Sequence, residues 1–242
     1  MGTEDKHVYY TAKVDSDSRC LREDFPETDT NFSVKEIIDR EVTKASGRPT
    51  GGWIYPSSLG RCIRQVYYDA VSAEAQDIFK ARTKKLMAYG TAIHETLQRI
   101  LNNAEEIKEE FVDELPFRFK AFSVSGRLDG IFKCKDWLLE IKTIGKSSFT
   151  GLTSPREADL LQIHAYMYIT DVPRSILYYV NRDSGDDMEF RVYFDKGHWE
   201  KLVAILSCVA EARRTGVPPP RLDNQFFCGE CRYLQACMNN VG

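Results

Sequence analysis

Three successive segments, 110–119, 122–133 and 137–143, are rich in β-branched and aromatic residues and are parted by only a few residues each. Such runs read as consecutive strands. The last two form a hairpin if the chain turns around Cys134-Lys135; Lys133 then faces Asp136, Ile131 faces Leu138 and Asp129 faces Glu140. Directly opposed side chains have Cβ atoms about 5 Å apart. Glu140 and Lys142 are two residues apart and project from one face of their strand. This register gathers two carboxylates and an ammonium group in one place. A slip of one residue would send Asp129 to the other face.

That gathering is costly without a purpose. Leu138, Leu139 and Ile141 make the strand largely apolar, so Glu140 and Lys142 carry a desolvation cost there. Two carboxylates this close repel unless a cation lies between them. Oxygen ligands of this kind suit Mg2+ or Mn2+, and the backbone carbonyl of Ile141 can add one more. Lys142 would neutralise phosphate charge or hold an attacking water. The plain alternative is a surface Glu–Lys pair, since such spacings arise often by chance.

The rest of the chain supplies helices. Residues 1–30 are polar and aperiodic and read as an extension. Ser33-Val34-Lys35-Glu36 has the pattern of a capping box opening a helix to about Lys44, and Gly47 to Gly52 break it. Ser57 or Ser58 caps a second helix with Cys62 near its start. Gly90-Thr91 precedes a third, with Ile93, Leu97, Ile100 and Leu101 on one face and His94 in its first turn. Ser154-Pro155-Arg156-Glu157 starts a helix reaching about Ile169. Gln162 and Tyr166, four apart, share one face of it; His164 falls off that face and reads as surface. Segments 175–180 and 188–194 form a hairpin, Asp195 caps a helix ending before Gly216, and Pro218-Pro219-Pro220 gives a stiff link to the C-terminus. Helices, then strands with a helix inserted, predict an α/β core with a helical annex.

Composition narrows the class without deciding it. Hydrophobic and charged contents of 43% and 29% are ordinary for a globular protein, and no apolar run approaches the roughly 20 residues that span a bilayer. The N-terminus has no apolar signal region, so the expected compartment is the cytosol. A net charge of −3 does not advertise a nucleic-acid binder, though local patches can serve. Lys80, Arg82, Lys84 and Lys85 form one candidate patch, Arg61 and Arg64 a second, Arg213 and Arg214 a third. Each alone reads more simply as a solvated helix face. Trp53, Tyr55, Tyr67 and Tyr68 either stack on unpaired bases or fill the core.

Taken in order, His94, the Gly-x-x-Asp at 126–129, Glu140-Ile141-Lys142 and the Gln-x-x-x-Tyr at 162–166 resemble the PD-(D/E)XK nucleases of the RecB-like branch. The resemblance covers roughly residues 55–240. It implies a restriction-endonuclease-like α/β core, a mixed central sheet flanked by helices. It also implies that Asp129, Glu140 and the Ile141 carbonyl bind metal, with His94 as a further ligand. Lys142 would be catalytic, and Gln162 and Tyr166 would support it. From the residues alone His94 is more often structural than ligating.

Seven cysteines are an odd number, and in a reducing compartment their clustering points to metal. Cys228, Cys231 and Cys237 stand close in sequence, and Cys62 is the candidate fourth thiolate. Four thiolates suit zinc or a [4Fe–4S] cluster equally. Cys20, Cys134 and Cys208 read as packing residues. A C-terminal triad with one distant partner is similar to the iron–sulfur nucleases of this branch, above all the CRISPR-associated exonuclease family and its phage-encoded relatives. That similarity implies [4Fe–4S] at Cys62, Cys228, Cys231 and Cys237, acting as a staple between distant parts of the chain.

The expected organisation is a nuclease domain over 31–242, with a helical part at 31–108, a core at 109–216 and a cysteine segment at 217–242. The expected activity is a Mg2+- or Mn2+-dependent deoxyribonuclease. It would be an exonuclease preferring single strands and running 5′ to 3′, in a prokaryotic or phage-infected cell. Expected partners are DNA, a CRISPR integrase or recombination proteins, and a second copy of the chain. The rival readings are a catalytically silent DNA-binding or integrase-partner module and a zinc-stapled structural protein.

Overall fold

The computed structural model describes residues 33–44, 51–107, 109–133, 136–222, 228–229 and 231–239. The N-terminal extension, Cys20 and the Cys134-Lys135 turn lie outside them. In chain order the helices are α1 (Val34–Lys44), α2 (Ile63–Ala70), α3 (Ala81–Asn103), α4 (Lys146–Thr150), α5 (Glu157–Thr170), α6 (Lys196–Thr215) and α7 (Leu234–Asn239). The strands are β1 (Phe111–Phe119), β2 (Val124–Phe132), β3 (Trp137–Ile144), β4 (Arg174–Asn181) and β5 (Asp187–Tyr193). They make a five-stranded sheet in the order β1-β2-β3-β4-β5. β1, β2 and β3 are antiparallel; β4 runs parallel to β3 after the crossover through α4 and α5, and β5 returns antiparallel. The sheet is therefore mixed and flanked by helices, as the motifs implied.

Alternation along β3 divides the core in two. Leu138 packs with Leu128, Leu177, Tyr179 and Ile163 on the side of α5. Leu139 and Ile141 pack on the other side with Phe111 and with Leu97 and Leu101 of α3. A further core joins α2, α5 and α6 through Val66, Tyr67, Tyr68, Leu161, Ala165, Leu202, Leu206 and Val209. Tyr67 and Tyr68 are thus core residues. Helix α5 is gripped by the sheet on one side and α6 on the other, so it has no broad solvent face.

That grip corrects the surface reading of His164, which is fully buried. Its Nδ1 lies 2.7 Å from Leu160 O, and its Nε2 accepts from the Asp195 N–H at 3.0 Å. Both contacts are met by the neutral tautomer protonated on Nδ1. Burial, with His198 adding to it, holds the His164 pKa below its ordinary 6.5. The unfolded chain therefore binds the proton more readily, and stability falls as pH drops through 6.5 toward the folded value. Thermal scans from about pH 7 to about pH 5 should show a loss of stability from this group. His164→Gln should flatten that part of the profile, and an unchanged slope would assign the titration elsewhere.

Three helix starts also differ from expectation. Helix α3 begins at Ala81 and runs through Gly90, so His94 sits mid-helix. A Cβ at Gly90 would lie 2.8 Å from Thr143 Oγ1, so the glycine lets α3 press on β3 instead of breaking the helix. Helix α5 begins at Glu157 with Arg156 as its N-cap and no side-chain cap, leaving Ser154 and Pro155 outside. Pro56–Ser58 form a 3₁₀ turn, and the N-cap of α2 is Cys62 itself. The other signals hold. Ser33 Oγ accepts from Glu36 N at 3.3 Å, Asp195 accepts from His198 N, and Gly216 ends α6 at φ 73°.

Candidate active site and thiol cleft

The ladder between β2 and β3 has the expected register: Phe132 opposes Trp137, Ile131 opposes Leu138 and Gly130 opposes Leu139. It stops one step before Asp129 and Glu140. There the Asp129 carboxylate takes over, its Oδ2 accepting the Ile141 N–H at 2.8 Å. On its other flank Asp129 stands opposite the gap at Glu114, which the β1–β2 ladder skips and which has a φ of 52°. Such backbone costs on the order of 1–3 kcal/mol for a non-glycine residue and clusters at functional sites. Asp129 is thus held where two ladders loosen. Gln98 of α3 steadies it, donating to Asp129 O at 2.9 Å and to Glu114 Oε1 at 3.1 Å. One turn earlier, His94 Nδ1 lies 3.4 Å from Asp129 Oδ1. Burial opposes protonation of His94, but the Asp129 carboxylate, helped by Glu140, lifts its pKa above the ordinary value.

Glu140 is 4% exposed. Its Oε1 accepts from Lys142 Nζ at 2.8 Å and from Gln162 Nε2 at 2.6 Å. Its Oε2 is buried and has no hydrogen-bond partner. Burial pushes the carboxyl up to about 7; Lys142 opposes that and Asp129 adds to it. The Lys142 pKa is raised despite burial, by Glu140 and then Asp159, so its ammonium is retained. Gln162 ties the group together: its Oε1 accepts from Lys142 Nζ at 2.6 Å, and its amide nitrogen reaches Tyr166 Oη at 3.1 Å. The Tyr166 hydroxyl in turn donates to Arg127 O at 3.3 Å. The structure therefore brings His94, Asp129, Glu140, Lys142, Gln162 and Tyr166 into one cluster. Ile141 contributes its N–H to Asp129.

Sequence reasoning missed Asp159. It is 7% exposed, and its Oδ1 lies 3.5 Å from Lys142 Nζ. Its Oδ2 accepts from the Tyr179 hydroxyl at 2.7 Å and from Arg156 Nε at 2.8 Å. The signal was present: an acid in the apolar run Ala158-Asp159-Leu160-Leu161 calls for a partner when buried. Gln98 and Glu114 had no comparable flag, since only the fold brings them to Asp129.

Among the described residues no three acids, histidines or cysteines stand close enough to clasp a metal already. The donor set beside Asp129 still fits a hard divalent cation. It offers carboxylate oxygens, and the partnerless buried Glu140 Oε2 is an acceptor that such an ion would satisfy.

The lining of a cleft of ≈ 1210 Å³ beside α2 includes Cys62, Cys228, Cys231 and Cys237. All four are free thiols. Burial raises the Cys231 pKa; the Tyr233 N–H opposes this, and Cys62, Cys237 and Cys228 add to it. The C-terminal segment is bound to α2 around them. Tyr233 OH donates to Asp69 Oδ1 at 2.6 Å, Tyr68 OH to Ala236 O at 3.3 Å, and Arg64 Nη1 lies 3.6 Å from Cys237 Sγ. Four soft donors around one cleft suit zinc or iron–sulfur chemistry alike. Cys208 sits apart on α6. Of the basic patches, Lys84 and Lys85 are engaged at the base of α3: Lys84 pairs with Asp77 at 2.6 Å, and Lys85 pairs with Asp39 of α1 at 2.7 Å.

No family model and no curated protein matches this sequence. Solved structures do match. The crystal structure of SSO0001 shares 18% identity over 87% of this chain and 99% of its own, with a TM-score of 0.54. That of LHK-Exo in complex with dAMP shares 14% identity over 69% of this chain and 90% of its own, with a TM-score of 0.51. LHK-Exo is an alkaline exonuclease from Laribacter hongkongensis. These likenesses show that the chain shares its mixed α/β fold with SSO0001 and LHK-Exo.

Proposed function

We propose that the chain is a divalent-metal-dependent deoxyribonuclease of the RecB-like kind, an exonuclease acting on single-stranded DNA from its 5′ end. The observation that carries this reading is the buried acid–ammonium cluster of Asp129, Glu140 and Lys142, with one Glu140 oxygen left without a partner. Mg2+ or Mn2+ held by Asp129, Glu140, the Ile141 carbonyl and His94 would supply Lewis-acid stabilisation of phosphate charge and an acidified water. The chain's own groups do the rest. Lys142 keeps its proton and is aimed by Glu140, Gln162 and Asp159, so a fixed positive charge meets the phosphate without reorganising. Gln162 fixes both Lys142 and Glu140 through one amide, and Tyr166 fixes Gln162. The products are a 5′-phosphate and a 3′-hydroxyl.

Cys62, Cys228, Cys231 and Cys237 hold a structural [4Fe–4S] cluster in this proposal, with zinc as the alternative occupant. DNA is the partner, and trimming ends for a CRISPR integrase or for recombination in the cytosol is the role. The test is end-labelled single- and double-stranded DNA incubated with Mn2+, with Mg2+ or with chelator, beside Asp129→Ala. Cleavage is expected only with metal and only in the parent. No metal-dependent cleavage, or cleavage unaffected by Asp129→Ala, removes the enzyme reading. Labels at each end report the direction.

A further inference from the structure

Among the described residues β5 is the last strand of the sheet, with β4 on one side and no strand on the other. Its alternation is regular. Asp187, Glu189, Arg191 and Tyr193 are exposed, whereas Met188, Phe190 and Val192 are half-buried against the core beside Leu177 and Tyr179. The two ends of its ladder show which backbone groups face outward. Asn181 N–H donates to Asp186 O at 2.8 Å, and Phe194 N–H donates to Pro173 O at 2.9 Å. Hydrogen-bonded positions alternate in an antiparallel pair. Positions 186, 188, 190, 192 and 194 therefore bond to β4, and 187, 189, 191 and 193 turn N–H and C=O away from it.

A free edge of this kind is a template for another strand, and proteins blunt it with proline, bulges or repelling charge. β5 has no proline, and positions 189 and 191 carry opposite charges. We propose that β5 pairs antiparallel with β5 of a second copy of this chain, about a two-fold axis through Phe190. Glu189 then lies opposite the partner's Arg191, Met188 opposite the partner's Val192, and Asp187 opposite the partner's Tyr193. The outward-facing backbone groups meet outward-facing groups. The neighbouring symmetric registers that keep this parity, centred on Glu189 or on Arg191, set like charges face to face.

The edge is also partly ordered beforehand, which lowers the entropy lost on association. Trp137 lies 5.3 Å from the Arg174 guanidinium and 5.8 Å from that of Arg191, and its ring meets Tyr193 edge-on at 5.6 Å. In the single chain Arg191 Nε reaches Glu189 Oε1 at 3.3 Å. Dimerisation exchanges this exposed pair for two across the axis and joins both sheets into one. The inference stands apart from the proposed chemistry.

Sedimentation of the full chain over a range of concentrations tests it. The parent should dimerise reversibly. Glu189→Arg and Arg191→Glu should each weaken the dimer by at least about tenfold. The double variant Glu189→Arg with Arg191→Glu should bring it back to within about threefold, because this register restores opposite charges at both crossings. Arg191→Pro removes an outward N–H without touching the bonds to β4, and should give a folded monomer with an unchanged circular dichroism spectrum. A parent that stays monomeric at every concentration overturns the proposal. So does a dimer indifferent to the single reversals or not rescued by the double one.

Discussion

Glu140→Gln should cut metal-dependent DNA cleavage by at least about 10³-fold while the protein stays folded. Glutamine keeps the shape and one acceptor for Lys142 and Gln162. It puts a nitrogen or a neutral oxygen where the buried, partnerless carboxylate oxygen stands. The same substitution should change how stability depends on pH. The folded-state pKa of Glu140 is pushed up to about 7 from 4.5. The native state therefore binds the extra proton in that window, and metal-free stability falls as pH rises from 4.5 to about 7. The loss is about 3 kcal/mol for a shift of this order. Urea midpoints of chelated protein should decline across this window in the parent and stay level in Glu140→Gln. Adding Mn2+ above the window should restore the parent and leave the variant unmoved. Cleavage by the variant within tenfold of the parent's would refute its role, and parallel pH profiles would refute the assigned titration.

Cys231→Ala should lower the melting temperature by about 10 °C or more, the scale expected for losing a clasp of several kcal/mol in a chain of this size. The thiol shares its cleft with Cys62, which lies far earlier in the sequence, so a bound group there ties α2 to the C-terminal segment. Cleavage per folded molecule should survive at low temperature, since the cleft holds none of Asp129, Glu140 and Lys142. Cys208→Ala is the control. It removes a half-buried thiol from α6 with no cysteine partner in the cleft, and should cost under about 1 kcal/mol. Equal effects of the two substitutions would dismiss the staple. Full stability with cleavage alone lost would dismiss it too. A brown parent absorbing visible light, turned colourless in Cys231→Ala, would select iron–sulfur over zinc.

The strands, their register and the carboxylate pair were legible because a period of two is local. The pairing of Ile131 with Leu138 directs Asp129 toward Glu140, although the ladder ends at Gly130 and Leu139 and the Asp129 carboxylate bonds to the Ile141 N–H instead. Gln162 and Tyr166 were legible for the parallel reason that four residues make about one helical turn. Other features depended on partners far away in sequence. Gly90 looks like a helix breaker until Thr143 is pressed against it, and Ser154-Pro155 looks like a cap until Glu157 starts the helix instead. His164 lies off the face shared by Gln162 and Tyr166. It becomes interior only because α6 covers that side of α5. The same packing hides Asp159, whose meaning comes from Lys142, Arg156 and Tyr179 converging on it.

The Asp129 carboxylate fills a place that a main-chain carbonyl would hold in an ordinary ladder, because it receives the Ile141 amide proton. Correct threading and chemical competence are therefore the same event. A hairpin that zips out of step forfeits that bond and scatters the acids, so a misfolded intermediate carries no assembled cluster of Asp129, Glu140 and Lys142.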